Sequence, residues 1–132
     1  MPIDKQTIFN NAFLGVLKQG VPSVSIKLGM CAYRGDEGRK CAIGHSIADE
    51  EYTEEMEGKG ISLILSSFKN NIAALAGADE KDISFLTGLQ RAHDSSDYMG
   101  ASGKNALHKK SFIEACVALA KAYDLIVPAY VD

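Results

Sequence analysis

The sequence has no tryptophan, only three prolines and three cysteines, and no long apolar run. A membrane-spanning helix needs about 18 consecutive apolar residues, so we expect no association with a membrane. An odd cysteine count without the spacing of a small secreted protein predicts reduced thiols. The first residues lack a basic segment followed by an apolar one, so we expect no signal peptide and a cytoplasmic location.

The chain also lacks an excess of positive charge. Its formal net charge is -3, with 23% charged and 46% hydrophobic residues. This balance is typical of a globular protein, and it provides no general field that would attract nucleic acid. A length of 132 residues fits one hydrophobic core, so residues 1–132 are predicted to form a single domain.

Apolar residues recur at helical spacing in four segments. The predicted helices cover residues 4–19, 61–76, 79–93 and 111–123. Asp4, Asp79 and Ser111 are the expected N-caps, with Glu114 completing a capping box. A further short helix is expected within the acidic segment 45–57, with Asp49 as its cap.

The β-structure is predicted to be small. Residues 24–30 alternate between apolar and polar, as in a strand with one buried face. A hairpin with its turn at 35–38 is expected next, which would place Tyr33 near Lys40 and Arg34 near Arg39. Residues 95–103 are expected to form a loop. The predicted fold class is α+β, a helix-dominated single domain with a small β-hairpin unit.

Residues 31–52 concentrate side chains that can carry chemistry. Cys31, Cys41 and His45 have the types of ligand atom that zinc prefers. However, they form no close pair of ligands, and a fourth ligand would have to come from His93, Asp94 or His108. We therefore predict no metal and no cofactor. The cysteines are expected to be small buried residues of the hairpin.

A catalytic site is the alternative. Cys41 and His45 are four residues apart and could meet in a turn as nucleophile and base. His93 and Asp94 add the adjacent pair that metal-dependent phosphohydrolases of the HD type use. A small hydrolase or metal-dependent enzyme would therefore be centred on Cys41, His45, His93 and Asp94. His93 also lies on an apolar helix face, where a buried structural histidine is the more common role.

The charged residues of this region suggest two further features. Arg34 leaves the predicted hairpin beside an acidic segment, so its guanidinium should pair with Asp49 or Glu50. The expected structural polar cluster consists of Tyr33, Arg34, Asp49 and Tyr52. The remaining acids would form a docking surface for a basic partner or a solvated face, and these are Glu50, Glu51, Glu54, Glu55 and Glu57.

The C-terminus is unusually apolar. Residues 125–131 contain five large apolar side chains around Pro128, which prevents the preceding helix from continuing. Such a segment either covers a second copy of the chain or folds back on the first helix. We predict a homodimer and keep the folded-back monomer as the alternative.

The spacing of this region resembles that of a known group of proteins. The pattern C-x-Y-R-G-x-x-G-x-K-C-A-I-G-H-x-I-x-D-E-E-Y, the following E-G and the later L-Q-R-A-H-D are similar to small uncharacterised proteins of phages, prophages and other mobile elements. The resemblance implies an accessory protein that acts inside a bacterial cell by binding a host protein. The sequence thus predicts a non-enzymatic protein-binding module, with the small enzyme as the alternative.

Overall fold

The computed structural model describes residues 2–25 and 27–130, except for the side chain of Met30. Within these residues, four α-helices and two small antiparallel hairpins surround one hydrophobic core. The fold is therefore α+β and dominated by helices, as predicted. No helix in the described part of the chain is long and apolar enough to cross a membrane.

The first helix forms as its sequence predicts. Helix α1 spans Lys5–Gln19, and the Asp4 side chain accepts from the backbone N–H of Thr7 at 3.0 Å. Gly20 ends the helix in the left-handed region with φ 73°, a conformation that glycine adopts without a steric penalty. Its apolar stripe, which includes the fully buried Phe9 and Phe13, faces the core.

The second predicted helix is shorter than expected. Helix α2 covers only Ile61–Phe68 and is followed by single 3₁₀ turns at Lys69–Asn71 and Ala73–Leu75. Ile72 has extended backbone between the two turns, and both Ile72 and Leu75 are fully buried. The irregular backbone allows both side chains to be buried in the core. This burial overrides the helix that the spacing of the sequence predicts.

Helices α3 and α4 span Ile83–Asp94 and Lys109–Ala122. A capping box between Asp79 and Asp82 precedes α3, which confirms Asp79 as a cap. The predicted cap of α4 is wrong, because the helix begins two residues earlier and His108 Nδ1 accepts from the Ser111 backbone N–H at 3.2 Å. Histidine is not a typical N-cap residue, which is why the pattern pointed to Ser111.

The strands differ from the prediction in register. Strands β1 (Val24–Ser25) and β2 (Met30–Cys31) pair with each other, so the predicted strand 24–30 is interrupted by a turn that contains Gly29 at φ 68°. Ile26 of that prediction lies outside the described residues. Arg34 forms a bridge with Lys40, one residue away from the expected register. The acidic segment contains short 3₁₀ turns at Ile43–Ser46 and Glu54–Met56 instead of one helix.

A second hairpin was not predicted. Strands β3 (Asp97–Met99) and β4 (Asn105–Leu107) pair where the sequence suggested a loop. Strands of three residues are too short for alternation to reveal them. The hairpin connects α3 to α4.

The C-terminal segment folds back on α1. Gln6 donates to the Ile126 carbonyl at 2.8 Å and accepts from its backbone N–H at 2.9 Å. The Tyr130 ring meets the Phe13 ring edge to face at 5.1 Å. These contacts match the folded-back alternative, although Ile126 is still 77% exposed and Val131 lies outside the described residues. The predicted homodimer stays a prediction.

Candidate functional site

The main concavity of interest is an open cleft of about 460 Å³ beside α3, which we call the α3 cleft. Residues 31–33 form one side and the loop 58–61, where α2 begins, forms another. Thr87, Gln90, Arg91 and Asp94 reach it from one face of α3. Helical spacing of three and four residues explains why these four side chains share that face.

A cysteine, a histidine and an aspartate meet at the cleft. One ligand atom from each of Cys31, His93 and Asp94 lies within 4.8 Å of the others. Cys31 is 62 residues from His93 in the sequence. The pairing of β2 with β1 and the packing of Ser23 on α3 bring them together. The sequence pattern had suggested His93 or Asp94 as a fourth ligand beside Cys31, Cys41 and His45, and the catalytic alternative combined His93 and Asp94 with Cys41 and His45.

Both ring nitrogens of His93 are engaged. Nε2 accepts a hydrogen bond from the backbone N–H of Ser23 at 2.9 Å, so this nitrogen carries no proton. The proton of the neutral ring is therefore on Nδ1, which lies 2.8 Å from Asp94 Oδ1 and donates to it. His93 is fully buried. In this arrangement neither nitrogen has a free lone pair for a metal ion or for a proton from a thiol.

The Cys31 thiol is not activated. Burial raises its pKa to about 12, and the negative charges of Asp94 and Asp97 act in the same direction. A reactive thiol requires the opposite setting, in which a cation or a helix N-terminus stabilises the thiolate. Cys31 is thus a neutral thiol beside a carboxylate that already accepts from His93 and from Gln90 at 3.0 Å.

Cys41 is equally unreactive. It is fully buried, which raises its pKa to about 12. Its sulfur accepts from the backbone N–H of Gly44 at 3.3 Å. Gln90 connects this turn to the cleft, because its Oε1 accepts from the Ile43 backbone N–H at 3.1 Å while its amide donates to Asp94. The turn that contains Cys41 therefore supports the cleft from behind.

His45 lies elsewhere. Its ring packs on Gly15 of α1, where an added Cβ would come within 2.5 Å of His45 Nδ1. Its Nε2 is buried and has no hydrogen-bond partner among the described residues. Burial lowers the pKa of His45 to about 4. The ring of His45 therefore packs against α1, whereas the ring of His93 is held by Ser23 and Asp94.

The expected polar cluster has an additional central member. The Glu57 carboxylate accepts from the backbone N–H groups of Tyr33 and Arg34 at 2.9 and 3.0 Å, and from the Tyr52 hydroxyl at 2.6 Å. The predicted contact between Arg34 and Asp49 is present at 3.1 Å. Sequence analysis placed Glu57 on the surface with the other acids, because nothing local indicated that Tyr33 and Arg34 would present their N–H groups to it.

These contacts reduce the acidic docking surface. Besides Glu57, Glu51 is also used within the molecule, since it accepts from the backbone N–H groups of Ala48 and Ala73, both at 2.9 Å. Glu50, Glu54 and Glu55 remain exposed. The surface therefore consists of fewer free carboxylates than the sequence suggested.

Comparisons of the chain with protein-family profiles, with curated protein sequences and with solved structures find no match.

Proposed function

We propose that the protein is a non-enzymatic binding module, which binds another protein through the face that contains the α3 cleft. The observation that carries the proposal is the state of His93, whose two nitrogens are both engaged beside the open cleft. His93 lies buried behind the lining residues Cys31 and Asp94, and while both hydrogen bonds hold, its ring cannot act as the base of a hydrolase. The resemblance of the sequence to mobile-element proteins supports a host protein in a bacterial cell as the partner.

The cleft is a better candidate for the binding face than the acidic segment. Exposed charges add little to affinity on their own, whereas a concave surface can exclude water from the groups that it contacts. The rim of the cleft also has small residues at Gly58 and Gly60, neither of which has a neighbour within 4 Å of an added Cβ. A partner segment can therefore approach the cleft closely.

The alternative is a small hydrolase or metal-dependent enzyme. It is favoured by the convergence of Cys31, His93 and Asp94 within 4.8 Å. It requires His93 Nε2 to lose its hydrogen bond with Ser23 before that nitrogen could act as a base or a ligand. A centre that also included Cys41 and His45 would need a larger rearrangement, since Cys41 is fully buried and His45 packs on α1.

Alkylation of the cysteines distinguishes the two functions. We expect iodoacetamide at pH 7 to label Cys31 and Cys41 more slowly than it labels free cysteine, because burial keeps both thiols protonated. Unfolding in urea should restore the normal rate at both positions. Faster labelling of either cysteine in the folded protein would indicate an activated thiol and would favour the enzyme.

The binding face is tested by affinity capture from a bacterial lysate with two matched variants. Thr87→Arg places a large side chain in the cleft, whereas Ala118→Arg places the same side chain on an exposed position of α4. We expect a protein that the wild type and Ala118→Arg capture and that Thr87→Arg does not. Equal capture by all three proteins, or capture by none, would contradict the proposal.

A further inference from the structure

We propose that the α3 cleft recognises an acidic peptide segment, whose carboxylate pairs with Arg91. This inference rests on the proposed binding function and names the chemistry of the partner. Arg91 lines the cleft and is exposed. Its guanidinium has no hydrogen bond or ion pair with any residue in the described ranges 2–25 and 27–130.

The other charged groups that line the cleft are already engaged. The Lys59 ammonium donates to the Glu55 carbonyl and lies 5.8 Å from the centre of the Phe68 ring. The Asp94 carboxylate accepts from His93 and Gln90. Arg91 is therefore the charged side chain of the cleft for which the described residues provide no partner.

An acidic ligand fits this arrangement better than a basic one. A basic side chain would meet the like charges of Arg91 and Lys59, and Oδ1 of the lining carboxylate Asp94 already accepts from two donors of the protein. A carboxylate can accept two parallel hydrogen bonds from a guanidinium, the strongest geometry that Arg offers. Asp94 lies three residues from Arg91 on α3 and lowers the attraction for an anion, so we expect binding that is weak for an isolated carboxylate.

The size of the cleft favours a segment of a chain over an ion. Its volume of about 460 Å³ is within the range of roughly 300–1,000 Å³ that is typical of ligand pockets. The aliphatic parts of Lys59 and Thr87, which are half-buried, line the cleft and can contact the stem of an acidic side chain and its neighbours. A peptide can therefore gain apolar burial together with the ion pair, whereas a small free acid gains mainly the ion pair.

The test is a titration of the ¹⁵N-labelled protein followed by NMR. The probe is acetyl-Ala-Glu-Ala-amide, and its counterparts with Gln and Lys in place of Glu are the matched controls. We expect the Glu peptide to shift the amide resonances of residues 31–33, 58–61 and 87–94. The Gln peptide should bind about tenfold more weakly, because its neutral amide replaces the charged carboxylate as the acceptor for Arg91.

Variants of the protein provide the reciprocal test. Arg91→Gln should lower the affinity for the Glu peptide about tenfold and leave that for the Gln peptide unchanged. Gly60→Asp and Gly60→Asn form a matched pair, since Gly60 has φ -71°, open space at Cβ and the N-cap position of α2, which both residues suit. Only Gly60→Asp should weaken binding of the Glu peptide, because it adds a carboxylate at the rim.

Several results would overturn the inference. They are an absence of shifts with every peptide, equal affinity for the Glu and Gln peptides, and unchanged affinity in Arg91→Gln. If succinate binds as tightly as the Glu peptide, the ligand of the cleft is a free small acid and not a peptide segment. If these tests fail while capture of a host protein still depends on Thr87, only the acidic partner is wrong. If capture also fails, the binding function itself is contradicted.

Discussion

Two arginines of this protein have opposite surroundings. The guanidinium of Arg34 donates to three backbone carbonyls and to Asp49, and its carbon lies 5.1 Å from the centre of the Tyr52 ring. The guanidinium of Arg91 has no such partner among the residues that the structure describes. An arginine that donates to several segments holds them together, whereas one without a partner among the described residues is available for a ligand.

The largest effect is expected at the centre of the Arg34 region. Glu57→Ala removes the acceptor for two backbone N–H groups and the Tyr52 hydroxyl, and it should lower the free energy of unfolding by about 3 kcal/mol. Urea denaturation measures this loss. Glu54→Ala is the matched control at an exposed position, with an expected change within about 0.5 kcal/mol. Equal effects would show that Glu57 has no special structural role.

Arg34 itself should matter more than its ion pair. We expect Arg34→Ala to cost about 2 kcal/mol, because the carbonyls of Gly44 and Ile47 lose their donor. Asp49→Ala should cost less than about 1 kcal/mol, since the Asp49 side chain is 80% exposed and water screens the pair. The same denaturation experiment compares the two variants, and a larger loss for Asp49→Ala would reverse this interpretation.

Arg34 donates to the carbonyls of Gly44 and Ile47, and His45 between them packs on α1. Gly15→Ala places a Cβ within 2.5 Å of His45 Nδ1 and should cost about 1–3 kcal/mol. In a His45→Ala background the same substitution should be neutral or stabilising by up to about 1 kcal/mol, because alanine favours a helix over glycine. A thermodynamic double-mutant cycle measures this coupling. Additive effects would show that the ring moves away without cost.

The pH dependence of stability tests the burial of the same histidine. The pKa of His45 is lowered from 6.5 to about 4 in the folded protein, mainly by burial and then by the charge of Lys40. The unfolded chain therefore binds more protons between these values, and stability should fall as the pH decreases from 6.5 to 4. The pKa of the Asp4 carboxyl is lowered from 3.8 in the folded protein. The stability that Asp4 contributes is therefore lost at a lower pH than the range in which His45 acts. Thermal melts of His45→Ala should show a flatter profile.

The smallest effect is expected at Arg91. Arg91→Gln should change the free energy of unfolding by no more than about 0.5 kcal/mol, because the guanidinium has no partner among the described residues. Urea denaturation checks this, next to Arg34→Ala as the contrasting variant. A loss similar to that of Arg34→Ala would mean that both arginines are structural and would remove the basis of the carboxylate subsite.

Features that depend on neighbouring residues were predictable. Helix α1, its cap at Asp4 and its end at Gly20 follow from spacing and local hydrogen bonding. The capping box between Asp79 and Asp82 forms within four residues, so it also has a local cause. The early end of α2 was not predictable, because it depends on the burial of Ile72 against distant parts of the core.

The sequence by itself determined the fold class, the main apolar helix faces and the burial of Cys41, since these depend on composition and on local periodicity. The tertiary structure decided which polar groups form hydrogen bonds within the protein. Glu57 receives its two backbone donors from a segment more than 20 residues away, and His93 receives the N–H of Ser23 from across the chain. Because protonation and hydrogen bonding respond to such long-range contacts, only the folded chain distinguishes Arg34 from Arg91, whose guanidinium has no partner within residues 2–25 and 27–130.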